Sequence, residues 1–319
     1  MQYRMLGRTG LRVSEVGFGA WAIGGPSKLG DVEIGWGEVD DAMSLRAIEA
    51  AYEAGVTFFD TADVYGAGRS EVLIGKALKS KRDRVVIATK VGNRTTADGQ
   101  WVKDFSKQWI VEAIDTSLKR LGMDYVDLYQ LHSGTDTAQY RDETFEALEA
   151  LKAAGKIRFY GISVGPCAHG PWVIRNTPAD TIQVVYNMLE REPEAELLPL
   201  AQARGVGIIA RVPLASGFLT GKFTPDTRFA PNDHRSRNYP PEKLRATLAQ
   251  VAKLRFLTDG KARTLAQAAL QYCLAHPAVS AVIPGAKTPE QALANAAASD
   301  GVLLTSQEVA QARTVLAAG

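Results

Sequence analysis

Residues 40–60 read DDAMSLRAIEAAYEAGVTFFD, and within them an amphipathic helix gives way to a buried strand. Ile48 lies three positions after Leu45, and Ala51 and Tyr52 lie three and four after Ile48, which sets one apolar face on a helix of 3.6-residue period. Gly55 supplies a left-handed C-cap that a β-carbon would penalise. Val56, Phe58 and Phe59 then form an apolar strand closed by Asp60.

The same order of helix, glycine and strand returns along the chain. Ser106 caps a helix whose face is Ile110, Ile114, Leu118 and Leu121; Gly122 ends it, and a strand is expected over 126–131. A helix around Phe145, Leu148 and Leu151 stops at Gly155 before a strand over 157–162, and another stops at Gly205 before 206–210. Further strands are expected over 85–88, 182–185 and 279–283, and 16–20 as the first brings the number to eight. Continuous apolar strands alternating with helices mean a parallel sheet covered on both faces. Eight such units close a (β/α)8 TIM barrel of the α/β class, with an open doubly wound sheet as the alternative. Residues 4–14, RMLGRTGLRVS, alternate around Arg8-Thr9-Gly10 and predict a short N-terminal β-hairpin ahead of the barrel.

A chain of 319 residues with 46% hydrophobic composition fills one barrel, so a single domain over 1–319 is expected. Lys and Arg number 37 against 35 Asp and Glu, too even a balance to imply nucleic acid or an anionic membrane as a partner. Cys167 and Cys273 lie far apart without metal-ligand spacing and read as reduced thiols. No apolar leader and no membrane-spanning run is present, so the expected protein is soluble, unprocessed and cytoplasmic, with self-association into a homo-oligomer left open.

GFGAWAIGG, residues 17–25, carries Gly17, Gly19 and Ala22 at the looser spacing of a dinucleotide fingerprint. That fingerprint must open a helix, whereas this segment runs into Gly24-Gly25-Pro26, so it is rejected. Residues 221–241 are too polar for a strand and are expected as a loop over the active-site face.

Barrel catalysis takes place at the C-terminal ends of the strands, which makes ionisable residues directly after apolar runs the candidates. VTFFD ends in Asp60, VVIATK in Lys90 and VDLYQLH in His132, and Tyr65 stands in the loop after Asp60. Singly, these residues read equally well as a helix cap, a solvated strand end, a core histidine and loop packing. Jointly they face one mouth, and a lysine held by an aspartate is what retunes a tyrosine.

DTADVYG, ATKVG, SLKRLGMDYVDLYQLH, the GIS turn, IQVVYN, PLASGFLTGK and IPGAKTPEQ, in this order, resemble the aldo-keto reductase superfamily over nearly the whole chain, closest to the bacterial branch that also resembles potassium-channel β-subunits. The resemblance implies a catalytic tetrad at Asp60, Tyr65, Lys90 and His132. It implies hydride exchange between a nicotinamide cofactor, NADP(H) in preference to NAD(H), and a small carbonyl or alcohol: an aldehyde or aldose reductase, or a polyol or sugar dehydrogenase. Tyr65 is then the general acid/base, lowered in pKa by Lys90, which Asp60 holds charged, while His132 hydrogen-bonds the substrate oxygen or Tyr65. No metal is implied, and no HxH or HExxH spacing offers one.

The cofactor contacts implied by the resemblance fall on Ser163, Gln183 and Asn187 near the nicotinamide, on Arg211, Pro213, Leu214 and Gly217 after the seventh strand, and on Gly285, Lys287, Gln291 and Asn295 around IPGAKTPEQ. Lys287 precedes a helix capped by Thr288, with Pro289 in its first turn, an arrangement that serves equally as plain capping or as an anion site for the NADP phosphate. Trp21 lines the pocket beside these. Two residues depart from the pattern: Val164 stands where relatives have asparagine, and Arg211 where they have a tyrosine that stacks on the nicotinamide. From a different class comes a regulatory, cofactor-sensing module like the channel β-subunits, against which the intact tetrad speaks; a metal-dependent barrel hydrolase lacks the ligands.

Overall fold

A computed structural model describes residues 1–317. Eight parallel strands follow one another around a single sheet: β1 Phe18–Gly19, β2 Phe58–Asp60, β3 Val86–Val91, β4 Val126–Gly134, β5 Ile157–Val164, β6 Thr181–Val185, β7 Gly207–Arg211 and β8 Val279–Val282. The sheet closes between its ends through parallel bridges Val16 to Val282 and Gly19 to Gly285, with Gly17 N–H on Val282 O at 2.8 Å and Gly19 N–H on Pro284 O at 3.0 Å. Closure removes the open alternative and leaves no free sheet edge.

The seam explains GFG. A β-carbon on Gly17 would lie 2.9 Å from the Phe58 ring and one on Gly19 2.5 Å from Ile283 O, so these glycines let β1 approach both neighbours and serve no phosphate. The ladder part of the first strand is shorter than the expected 16–20. The segment then enters one helical turn, Trp21–Gly24, and stops at Gly25, whose φ is 77°; a single turn is no dinucleotide helix.

The N-terminal hairpin pairs Tyr3–Met5 with Arg12–Ser14. Leu6, Leu11 and Val13 pack with Phe58, Val86, Ala88, Leu128, Ile209 and Ala281, so the hairpin stoppers the N-terminal end of the barrel and leaves the C-terminal end for chemistry. Around the strands the helices follow their caps: Ser106 accepts from Trp109 N–H ahead of Lys107–Leu121, which ends at Gly122 with φ 63°. Residues 221–241 are not wholly irregular, since Arg235–Asn238 forms a helical turn. They do cross the open end, where Asp233 bridges to Trp36. Among the described residues no helix is long and apolar enough to cross a membrane.

Candidate active site

Asp60 closes β2 with both oxygens of its carboxylate engaged. Oδ1 accepts from Lys90 Nζ at 2.5 Å, and Oδ2 accepts from Gln130 Nε2 at 2.9 Å and Gln183 Nε2 at 2.8 Å. Lys90 on β3 is wholly buried, and its other two N–H bonds go to Thr61 O at 2.8 Å and Tyr65 Oη at 3.0 Å. Tyr65 therefore accepts from an ammonium and keeps its own hydrogen for a further partner. Its ring stands edge-on to Trp21 at 4.7 Å between centroids and to His132 at 5.7 Å. All four residues of the expected tetrad meet in one mouth.

Burial sets the protonation states here. It pushes the Tyr65 phenol up, and although the Lys90 charge pulls down, Asp60 offsets that pull, so the net shift is upward. Lys90 does pull the phenol down as expected, but the Lys90–Asp60 pair is close to neutral as a unit and does not outweigh desolvation. Burial also works against the Lys90 ammonium, but the Asp60 and Tyr65 interactions prevail and raise it. His132 is held well below the usual histidine range by burial and by the Lys90, Lys103 and Arg211 charges, so its ring is neutral at physiological pH.

The strand register lays His132, Ser163 and Gln183 in one row across β4, β5 and β6. Ser163 Oγ and His132 Nδ1 are buried without a hydrogen-bond partner, as is Arg211 Nε at the end of β7. Orphaned buried polar atoms cost about 1–3 kcal/mol each, and three at one mouth are satisfied by a polar ligand lying across it. Backbone strain gathers at the same level: Ser133, directly after His132, and Val212, directly after Arg211, both have φ 55°.

Gln183 uses both amide hydrogens on Asp60 and Gln130, which leaves its oxygen to face the mouth. Asn187 is corrected. It is fully buried, donates to Glu190 Oε2 and Val212 O, and accepts from the Leu189 and Glu190 amides, so it fastens the strained Val212 turn and has nothing left for a nicotinamide. Val164 is buried, and its carbonyl accepts from Arg211 Nη2 at 3.2 Å. Pro213 and Leu214 form the turn after Arg211, and Leu214 O accepts the Gly217 N–H at 2.9 Å.

Beyond β8, Gly285 lies under the Trp36 ring, which a β-carbon would approach to 2.9 Å. Lys287 Nζ donates to Trp36 O at 2.5 Å and Glu38 O at 3.2 Å. Burial and the neighbouring Arg235 charge both lower its pKa, and Lys222 adds to this. The helix Pro289–Ala296 is capped by Thr288, while Gln291 Oε1 accepts from Lys287 N–H at 2.8 Å and Asn295 donates to Gly285 O at 3.3 Å. Capping is thus realised, and Gln291 and Asn295 each keep one free side-chain function.

Five site residues escaped the sequence reading: Gln130, Trp36, His234, Arg235 and Lys103. Gln130 had a signal, a glutamine inside the apolar run VDLYQLH. The others come from three separate segments: Trp36, the strand end Lys103, and the adjacent pair His234 and Arg235. His234 packs edge-on to Trp21 at 6.0 Å and stacks on Trp36 at 6.1 Å, and Arg235 lies over Trp36 at 5.4 Å.

The profile of the Aldo/keto reductase family matches residues 15–317. The chain belongs to that family. Its relatives include a probable voltage-gated potassium channel subunit beta of Oryza sativa, 35% identical over 97% of this chain and 94% of that protein. An NADH-specific methylglyoxal reductase of Escherichia coli is 32% identical over 96% of this chain and 98% of its own length. Among solved structures, the holo form of the aldo-keto reductase AKR11C1 from Bacillus halodurans superposes with a TM-score of 0.81 at 36% identity, covering 99% of this chain and 96% of that one. The family assignment makes this (β/α)8 aldo-keto reductase an oxidoreductase of nicotinamide cofactors.

Proposed function

We propose that the protein is an NADP(H)-dependent oxidoreductase that interconverts a small aldehyde, ketone or sugar carbonyl and its alcohol, with Tyr65 as general acid/base. The observation that carries this reading is the Lys90 ammonium held between Asp60 at 2.5 Å and Tyr65 at 3.0 Å in the mouth of the barrel. The cofactor supplies or takes the hydride. Tyr65 keeps its proton at neutral pH and gives it to the developing alkoxide, and Lys90 steadies the phenolate left behind. Neutral His132 orients the substrate oxygen through a ring N–H.

Ser163 Oγ, the Gln183 oxygen and Arg211 Nε would hold the nicotinamide end, with Trp21 walling the pocket. The Arg211–Gly217 turn and Gly285 would border the pyrophosphate, and Gln291 and Asn295 the adenine. The preference for NADP(H) rests on Lys287 with Arg235 and Lys222 near it, three cations against Asp233 and Glu38. The Escherichia coli relative is named NADH-specific, so that preference belongs to local charge and not to the family.

The test is oxidation of NADPH, and separately NADH, with a panel of aldehydes and sugars, repeated in reverse with polyols. Tyr65→Phe should lower turnover by about 10²-fold to 10⁴-fold and leave cofactor affinity nearly intact. Near-normal turnover removes Tyr65 as the proton donor. Cofactor binding without turnover of any compound favours the regulatory sensing module instead; one relative is named a probable channel subunit.

A further inference from the structure

Two cations border the tetrad without a carboxylate of their own. Lys103 ends the hairpin Asn93–Thr95 and Trp101–Lys103 beyond β3, with its Nζ 2.8 Å from His132 O and 5.7 Å from the Trp101 ring centroid. One N–H meets that carbonyl, and two remain. Arg211 ends β7, four strands away around the barrel, with one Nη on Val164 O and Nε buried and unpartnered. Among the described residues neither makes a close ion pair.

No acid pairs closely with either. Asp60 accepts from Lys90, Gln130 and Gln183, Glu190 accepts from Asn187 at 2.7 Å, and both carboxylates attract Arg211 only from beyond ion-pair distance. Asp63 attracts Lys103 from a distance, but burial and repulsion from Glu71 hold its own pKa well above the carboxylate range. Burial and the Arg211 charge lower Lys103 to about 8, which leaves it a cation at neutral pH that an anion would stabilise.

We propose that Lys103 seats an anionic substituent of the substrate, a carboxylate or phosphate, beside the carbonyl held at Tyr65 and His132. The enzyme then selects acidic aldehydes or ketones over neutral ones of the same size. This rests on the carbonyl-reductase function proposed above.

Steady-state kinetics of the cofactor-loaded enzyme on two matched pairs tests it: succinic semialdehyde against butanal, and glyceraldehyde 3-phosphate against glyceraldehyde. The wild type should favour the charged member of at least one pair by about 10-fold or more in kcat/KM, and the pair that shows it separates carboxylate from phosphate. Lys103→Met should lower kcat/KM for that anion by about 10-fold to 100-fold, mainly through KM, the range of a charge-assisted hydrogen bond. The neutral member should lose less, so that the charged-to-neutral ratio of kcat/KM falls by about 10-fold or more. Lys103→Arg, which keeps the charge, should retain most of the preference. Equal use of charged and neutral members by the wild type, or equal loss for both in Lys103→Met, overturns the proposal.

Calorimetry with malonate and with inorganic phosphate separates the two levels of inference. If no carbonyl turns over but one of these anions binds the wild type and not Lys103→Met, the anion seat stands and the reductase function falls. Binding of neither, together with no turnover, overturns the seat as well.

Discussion

Asp60→Asn removes the charge that makes a buried lysine tolerable. Asparagine cannot reproduce the contacts of the carboxylate: one face meets Lys90 Nζ, the other meets Gln130 and Gln183 Nε2, and all three are donors. Whichever way the amide turns, its own NH2 opposes a donor. Breaking a buried ion pair from one side costs about 3–5 kcal/mol. Lysine has a way out, which is to lose its proton. From a reference pKa near about 10.4, neutralisation costs roughly 1.4 kcal/mol per pH unit, so about 5 kcal/mol at pH 7 and about 2 kcal/mol at pH 9. The part of the penalty that comes from holding Lys90 charged cannot exceed that ceiling, and it should therefore shrink between these pH values. In the wild type the folded Lys90 pKa is raised, so its contribution is fully present below the unfolded pKa and is lost only as pH rises through the folded one. In the variant the folded pKa is depressed, so destabilisation is greatest at low pH and fades as pH climbs toward the unfolded value. Urea unfolding of both proteins at pH 7 and pH 9 should show a gap of at least about 3–5 kcal/mol at pH 7 that narrows by up to about 3 kcal/mol at pH 9. A gap that stays constant would mean that Lys90 is not held as a buried cation by Asp60, and the electrostatic account of the site would fail with it.

Lys287→Glu places a carboxylate at the NADP phosphate and should weaken NADPH binding by at least about 10-fold more than NADH binding; dissociation constants that rise equally for both would show that Lys287 does not read that phosphate. Gln130→Met removes one of two N–H donors from Asp60 Oδ2 and should cost about 1–3 kcal/mol of stability, with kcat falling and cofactor affinity kept. Unchanged kcat would make Gln130 a packing residue. Arg211→Tyr should tighten NADP relative to NADPH several-fold, because a guanidinium beside the nicotinamide opposes the positive oxidised ring: even about 1 kcal/mol, a quarter of the repulsion between unit charges about 4 Å apart at a dielectric near 20, shifts the ratio that far. Titration of both forms at one ionic strength decides this, and an unchanged ratio places Arg211 away from the ring.

The eight strands, the hairpin and the arrival of Asp60, Lys90 and His132 at one end were legible in the sequence because each depends on local order. A helix face, a glycine cap and an apolar run fix where a strand starts, and parallel strands deliver whatever follows them to one end of the barrel, so Asp60, Lys90 and His132 had to arrive together. Strand limits were less legible: β4 runs to Gly134 and β5 to Val164 beyond the expected 131 and 162, since the ladder continues wherever a neighbour offers partners. Only the tertiary structure decided how the charges balance. That Tyr65 is pushed up and not down follows from the burial of its own phenol, with Asp60 offsetting Lys90, and desolvation is a property of what surrounds a residue, not of its neighbours in the chain. Asn187 shows the same limit, since nothing in IQVVYN announces that its amide is spent on Glu190 and Val212. The contacts of Lys103, Trp36, His234 and Arg235 came from loops whose courses no periodicity encodes, and those loops set what the mouth of the barrel presents to a substrate.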